Sequence, residues 1–186
     1  MAVPDGCDFA TVLAAAQAGE GDAFTTLFES LARPVVGYLR GRVVEDADGA
    51  ANEVFLRVFT RVRDFDGDEV EFRSWVFTIA RNLAVDEQRA RARRATLVAI
   101  DECVARLGSG NVVNDVVSRQ SVDEMLGTLS RDQRDVLLLR FVADLSIEQT
   151  ALVVGKRIPA VKALQRRALE ALRKRLEEPN VAPARA

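Results

Sequence analysis

The chain has 186 residues, of which 48% are hydrophobic and 29% charged, a globular balance with room for two small domains. It contains no histidine, which excludes Ser/His and Cys/His nucleophile arrangements and disfavours an enzyme. The two cysteines, Cys7 and Cys103, form no CxxC pair, so we interpret them as reduced thiols rather than a zinc site or a disulfide. No apolar run approaches the roughly 18–20 residues of a bilayer span, and the N-terminus lacks a signal-peptide pattern. We therefore expect a cytoplasmic protein with no membrane insertion, metal or cofactor.

The net charge of −2 conceals an asymmetry between the two ends of the chain. Residues 1–72 carry fourteen acidic and six basic side chains, a balance of −8, whereas residues 129–176 carry eleven basic and five acidic ones, a balance of +6. An acidic module followed by a basic one predicts two kinds of partner.

Apolar periodicity predicts an all-α protein, with helices near 8–18, 22–41, 47–62, 71–93, 114–127, 131–142, 146–154 and 158–177. The pattern fades between Thr96 and Val113 around a Gly-Ser-Gly-Asn run, which predicts a flexible linker. We expect a first small helical domain at 1–95, a linker at 96–112 and a second small helical domain at 113–179. Residues 180–186 are expected to form a disordered tail.

The helix predicted at 71–93 has an unusual aromatic and basic composition. Its core stripe consists of Phe72, Val76, Ile79 and Leu83. Trp75 lies at the edge of this stripe, and Phe77 lies about 130° from its centre. An exposed aromatic on a helix that ends in four arginines is typical of a platform for single-stranded nucleic acid. Alternatively, Trp75 belongs to the core, Phe77 packs on the 22–41 helix, and the arginines only complement the helix C-terminus.

The C-terminal residues predict a helix-turn-helix. Ser146 and Gln149 have the spacing of a capping box, and Gly155 suits a left-handed turn after the first helix. Pro159 fits the first turn of the next helix, where its missing N–H has no cost. The buried face of the first helix is assigned to Ile147, Ala151 and Val154. A preceding helix opens with a second capping box, Ser130 to Gln133, and its predicted core is Val136, Leu137, Leu139 and Phe141.

The last helix carries an apolar back, formed by Val161, Leu164, Ala168 and Leu172, and a polar front, formed by Lys162, Gln165, Arg166 and Arg167. Such a front can contact phosphates and base edges in the major groove. The alternative is an ordinary amphipathic helix with a solvated basic face.

Two stretches together resemble one protein family. The run DADGAANEVFLRVF (46–59), followed by FDGDEVEFRSWVFTIARN (65–82), is similar to region 2 of the extracytoplasmic-function (ECF) sigma factors of the sigma-70 family. The run LSRDQRDVLLLRFVADLSIEQTALVVGKRIPAVKALQRRALEALRKRL (129–176) resembles region 4 of the same family. Differences from the usual pattern include Gly49, Asn52, Leu164 and a more acidic loop after Phe65.

The resemblance implies a sigma factor whose partners are core RNA polymerase, promoter DNA and an anti-sigma factor. It assigns polymerase docking to Asp48, Asn52, Glu53, Leu56 and Arg57. It assigns capture of a flipped base of the −10 element to the loop that begins at Phe65, Asp66, Gly67 and Asp68, with Asn82 nearby. With the aromatic, arginine-ended helix, the predicted −10 contacts also include Phe77, Arg81 and Arg89. It assigns recognition of the −35 element to Pro159, Ala160, Lys162, Ala163, Gln165, Arg166 and Arg167.

A second hypothesis is a free-standing helix-turn-helix regulator with an acidic dimerisation or sensing domain. The aromatic, arginine-ended helix at 71–93 disfavours it, because such a helix has no role in reading duplex DNA.

Overall fold

A computed structural model describes residues 8–101 and 125–177 of the chain. Within these ranges the protein is helical and contains no strand. The helices are α1 (Phe9–Ala18), α2 (Gly21–Gly41), α3 (Ala47–Arg61), α4 (Glu69–Asp101), α5 (Arg131–Phe141), α6 (Ile147–Val154) and α7 (Ile158–Glu177), with a 3₁₀ turn at Val62–Asp64.

The all-α prediction is confirmed, and the observed helix ends lie close to the predicted ones except in α4. This helix runs to Asp101, so residues 96–101, which we predicted as the beginning of the linker, are helical. The rest of the predicted linker, most of the helix predicted at 114–127, and the predicted tail lie outside the described residues.

The N-terminal module (α1–α4) is a helical bundle with an apolar centre. Its α2, α3 and α4 bury side chains against one another, among them Val35, Val54 and Val76, each 0% exposed. The Asp46 carboxylate accepts a 2.8 Å hydrogen bond from the Gly49 backbone N–H, which caps the start of α3. The buried side chains hold α2, α3 and α4 together, and the cap fixes the start of α3.

The C-terminal module (α5–α7) contains the predicted helix-turn-helix. Both predicted capping boxes are formed, at Ser130–Gln133 and at Ser146–Gln149. Gly155 has a φ of +65°, the left-handed conformation predicted for the turn between α6 and α7. One core prediction is wrong, because Phe141 lies at the last position of α5 and is 62% exposed.

The two modules pack directly on each other. Buried side chains of α2–α4 and of α5–α7 belong to one hydrophobic cluster. Gly37 and Gly41, one turn apart on α2, permit the close approach. A Cβ on Gly37 would lie 2.8 Å from Val142 Cγ1, and one on Gly41 would overlap the Leu138 side chain. The contact therefore depends on two positions that carry no side chain.

None of the described helices combines the length and the apolar content that a membrane span requires.

Candidate nucleic-acid and polymerase interfaces

Helix α7 presents the basic surface predicted for DNA. Its apolar back is placed as predicted, with Val161 and Ala168 both 0% exposed. The N-terminal and outward positions are open to solvent, namely Pro159, Ala160, Lys162, Arg166 and Arg167, and Ala163 is half-buried. Among the described residues, the ion pair that this set forms is weak: Arg166 Nη1 lies 3.8 Å from Glu170 Oε1 on an exposed face. The cations on α7 are thus available to a ligand.

Gln165 differs from its neighbours on α7. Its side chain is half-buried rather than fully outward, and its Oε1 is buried without a hydrogen-bond partner among the described residues. A buried amide oxygen without a donor is uncommon. Gln165 therefore lies at the edge of the basic surface and not at its centre.

At the start of α6, the pKa of the Glu148 carboxyl lies below its usual value. The causes are hydrogen bonds from its own backbone N–H and from the Ser146 side chain. A negative charge is favourable at this end of a helix, so Glu148 supports the first helix of the helix-turn-helix.

The acidic loop before α4 has a structural role that the sequence did not reveal. Asp68 Oδ1 accepts a 2.8 Å hydrogen bond from the Glu71 backbone N–H, and Glu71 Oε2 accepts a 3.0 Å bond from the Asp68 N–H. This reciprocal pair caps α4 with two carboxylates, where the helix dipole favours negative charge. Asp66 remains exposed, and Gly67 is half-buried.

An aromatic cluster lies directly behind this loop. The ring of Phe65 packs on Trp75, with centroids 5.0 Å apart and planes inclined by 30°, and on Phe72 at 5.3 Å. Gln17 of α1 anchors the loop by donating hydrogen bonds to the carbonyls of Val62 and Phe65, at 3.0 and 2.7 Å. The ring of Phe65 is therefore held in place on a half-buried indole.

The loop and the cluster border an open cavity of about 440 Å³, lined by Arg61, Asp64, Phe65, Asp66 and Trp75. Arg61 and Asp64 were not predicted for this site. Trp75, for which a core position was one of the two expectations, packs against the core and also lines the cavity. An open space lined by aromatic rings and an arginine can receive an unstacked nucleotide.

The prediction that Phe77 is an exposed stacking residue is wrong. Phe77 is 0% exposed, and its ring meets Tyr38 of α2 edge-on, with centroids 5.9 Å apart. The alternative of packing on the second helix is the one observed. The physical reason is that α4 is covered on more than one side, so that a single apolar stripe does not define its buried surface.

The remaining residues predicted to contact the −10 element divide into two groups. Asn82 and Arg89 are exposed on α4. Arg81, in contrast, is turned toward the C-terminal module, where its Nε lies 3.2 Å from Oδ2 of Asp135.

The predicted polymerase-docking residues share one side of α3. Asp48 and Asn52 are exposed, and Leu56 is 57% exposed, which is high for a leucine. Glu53 and Arg57 are half-buried and form an ion pair along the helix at 2.9 Å. Arg40 of α2 holds Asp48 through both carboxylate oxygens, at 2.8 and 3.1 Å. The result is a polar surface with an apolar centre.

A solvent-exposed basic helix in a helix-turn-helix, next to a module with an aromatic cavity, defines a two-module DNA-binding protein. Comparison with known proteins then gives the family. Residues 27–94 match the Sigma-70 region 2 family, and residues 119–172 match the Sigma-70 region 4 family. The chain belongs to the ECF RNA polymerase sigma factors, and it is a sigma factor that directs transcription initiation.

Characterised relatives support this membership. The ECF sigma factor SigD of Mycobacterium tuberculosis is 33% identical over 171 residues, which cover 87% of this chain and 81% of SigD. The ECF sigma factor BldN of Streptomyces coelicolor is 33% identical over 168 residues, which cover 88% of this chain and 64% of BldN.

Two solved structures share the arrangement of the helices. CnrH, solved in complex with the cytosolic domain of CnrY, has a TM-score of 0.71 and 25% identity, covering 91% of this chain and 97% of CnrH. The sigma factor RpoE of Bartonella quintana, solved with the anti-sigma factor NepR, has a TM-score of 0.61 and 21% identity, covering 92% and 95%. At 21% identity, the likeness to RpoE is a likeness of fold alone.

Proposed function

We propose that the two modules divide promoter recognition, with α7 reading the −35 element and the loop before α4 capturing a −10 base. The observation that carries this proposal is the aromatic cavity, because a protein that reads only duplex DNA does not need one. The polymerase supplies the catalysis, so the sigma factor itself requires no catalytic residue. We place its action in the cytoplasm, where transcription occurs.

At the −10 element, a base leaving the duplex would enter the cavity and stack on Phe65 or Trp75. Arg61, which also lines the cavity, would contact the adjacent phosphate. The carboxylates of Asp68 and Glu71 are engaged in capping α4, which reduces their repulsion toward the DNA backbone. Asp66 stays exposed, and its carboxylate can accept a hydrogen bond from an exocyclic amino group of the base.

At the −35 element, α7 would lie in the major groove with its first turns toward the bases. Arg166 is exposed and only weakly paired, and its planar guanidinium can make a bidentate contact to a base edge. Lys162 and Arg167 would hold phosphates on either side.

The side of α3 around Leu56 would dock on core polymerase. An exposed leucine framed by polar side chains has the composition of an interface centre with a polar rim. An anti-sigma factor is a further proposed partner, since the structural relative CnrH was solved with a bound cytosolic protein domain.

Run-off transcription with purified core polymerase tests the proposal. The 186-residue chain should direct initiation from a subset of promoter fragments, whereas core polymerase alone should not. Leu56→Glu should abolish this activity and co-elution with core polymerase, and Thr25→Glu, on an exposed position of α2, should preserve both. Sequence-specific DNA binding by the free chain, without any effect on core polymerase, would favour the free-standing regulator instead.

A further inference from the structure

One carboxylate of the C-terminal module is buried against the N-terminal module. Asp135 of α5 is 2% exposed. Its Oδ1 accepts a 2.8 Å hydrogen bond from the Tyr38 hydroxyl and lies 3.1 Å from Arg42 Nε. Its Oδ2 accepts a 3.2 Å hydrogen bond from Arg81 Nε. All three partners belong to the N-terminal module, so this single side chain joins α5 to α2 and α4.

The charges of this cluster come from both modules, with one anion, Asp135, from the C-terminal module and two cations, Arg42 and Arg81, from the N-terminal module. Arg42 is 1% exposed, and its other nitrogens donate to Gln88 Oε1 at 3.0 Å and to the carbonyl of Arg131 at 3.4 Å. Without Asp135, two guanidinium groups would face each other in a buried space with no counter-charge. Burial and the Asp135 charge both raise the pKa of Tyr38, so its hydroxyl stays protonated and remains a donor.

Further polar contacts join the two modules nearer the start of α4. Arg73 donates two hydrogen bonds to the carbonyl of Ala143, at 3.0 and 2.7 Å. Gln149 of the helix-turn-helix donates a 3.0 Å bond to the carbonyl of Val70, next to the base-capture loop. The groups that close the modules are thus adjacent to those proposed to contact the −10 element.

We propose that Asp135 is an intramolecular latch that holds the free chain closed and withholds Arg81 from DNA. Because anion and cations come from different modules, separation of the modules returns all of them to water. Opening therefore breaks the ion pairs without leaving an unpaired charge in a folded core. The contact can thus hold the resting state and still be released by a competing partner. The consequence for Arg81 rests on the function proposed above, whereas the closed state of the free chain does not.

Distance measurement between spin labels on the full-length free chain tests the latch. In a background with Cys7→Ser and Cys103→Ser, the labels are placed at Glu29→Cys on α2 and Lys174→Cys on α7, both exposed positions. The labelled protein that keeps Asp135 should give one short, narrow distribution of distances between the two labels. Asp135→Asn should raise the ratio of open to closed molecules by about tenfold or more.

The matched control is Asp132→Asn, on the same helix. Asp132 pairs with Lys156 at 3.0 Å within the C-terminal module, so its loss should leave the distances unchanged. A broad distribution of long distances in the protein that keeps Asp135 would overturn the proposal. An Asp135→Asn protein that remains helical and shows an unchanged distance distribution would overturn it as well.

Tyr38→Phe provides a second route if Asp135→Asn loses its helical circular dichroism signal. This change removes one hydrogen bond and keeps the aromatic contact with Phe77. A shift toward longer distances supports the latch, and an unchanged distribution refutes it. The readout requires neither polymerase nor promoter, so failure of the latch is distinguishable from failure of the sigma function in transcription.

Discussion

The two proposed DNA-contacting surfaces of this protein are built in opposite ways. On α7 the predicted contact residues lie on a regular helix, and most of them are exposed with few internal partners. In the N-terminal module Asp66, Asn82 and Arg89 are exposed. Other predicted contact residues already have partners within the protein: Phe65 packs on aromatic rings, Asp68 caps α4 and Arg81 pairs with Asp135. A duplex presents a preformed groove to a rigid helix, whereas an unpaired base has to be received by a prepared cavity.

This difference has a consequence for control. An open basic helix binds whatever anionic surface it meets, and its selectivity comes from base contacts. The surface proposed for the −10 element can be made available or withheld, since the Val70 carbonyl, close in sequence to the loop, and the Arg81 side chain are held by the other module. The N-terminal surface is therefore where regulation through the fold is expected to act.

The largest expected effect distinguishes packing from stacking in α4. Phe77→Ala should lower the free energy of unfolding by about 3–5 kcal/mol, because it removes a fully buried ring. Urea denaturation followed by circular dichroism measures this loss. Phe141→Ala, which truncates an exposed ring, should change it by less than about 0.5 kcal/mol. A stable Phe77→Ala protein that fails to open promoters would restore the stacking role.

The next test concerns the aromatic cavity. Trp75→Ala should weaken promoter opening by about 1–3 kcal/mol, because the stacking surface for the captured base is lost. Trp75→Phe should retain most of the activity, since a ring is kept. Permanganate reactivity of unpaired thymines reports opening, and binding to core polymerase should be the same for both variants. Equal promoter opening with Trp, Phe or Ala at position 75 would mean that no base stacks on this side chain.

On α7 the comparison predicts a graded response among neighbouring side chains. Arg166→Ala should cost roughly 1–3 kcal/mol of binding at a promoter that depends on its −35 element. Gln165→Ala should cost less, because its side chain is half-buried. Arg173 lies about two turns farther along α7, and Arg173→Ala serves as the control for the loss of one exposed arginine. Abortive-initiation assays on promoters with and without the −35 element separate these effects. A larger loss for Gln165→Ala than for Arg166→Ala would require a different orientation of α7.

The smallest expected effect concerns the cap of the helix-turn-helix. Ser146→Ala should lower the free energy of unfolding by about 1 kcal/mol, because the Gln149 backbone N–H loses the Ser146 Oγ acceptor. Ser30→Ala, a position inside α2 whose hydroxyl bonds only a helix carbonyl, should cost less. Thermal unfolding measures both. Equal losses would mean that the box contributes nothing beyond an ordinary helical serine.

Much of the C-terminal module was predictable because its determinants are local. The residues of each capping box are three positions apart, and the turn at Gly155 requires one glycine. In the N-terminal module, local patterns gave the helices but not the use of their surfaces. Asp68 and Glu71 look like a charged loop in the sequence, and only their hydrogen bonds reveal a cap. Arg61, which precedes the loop in the sequence, and Trp75, which follows it, line the same cavity, and no periodicity encodes this.

The sequence by itself determined the helices, the order of the two modules and the basic face of α7, because helical periodicity, capping and charge depend on neighbours within a few residues. The tertiary structure decided that Phe77 is buried, that Phe141 is not, and that Asp135 joins the two modules. These outcomes depend on which surface covers each helix, and a helix such as α4 can be covered on several sides. Tyr38 and Asp135 are 97 residues apart, and only the packing of α5 on α2 brings their side chains within hydrogen-bonding distance.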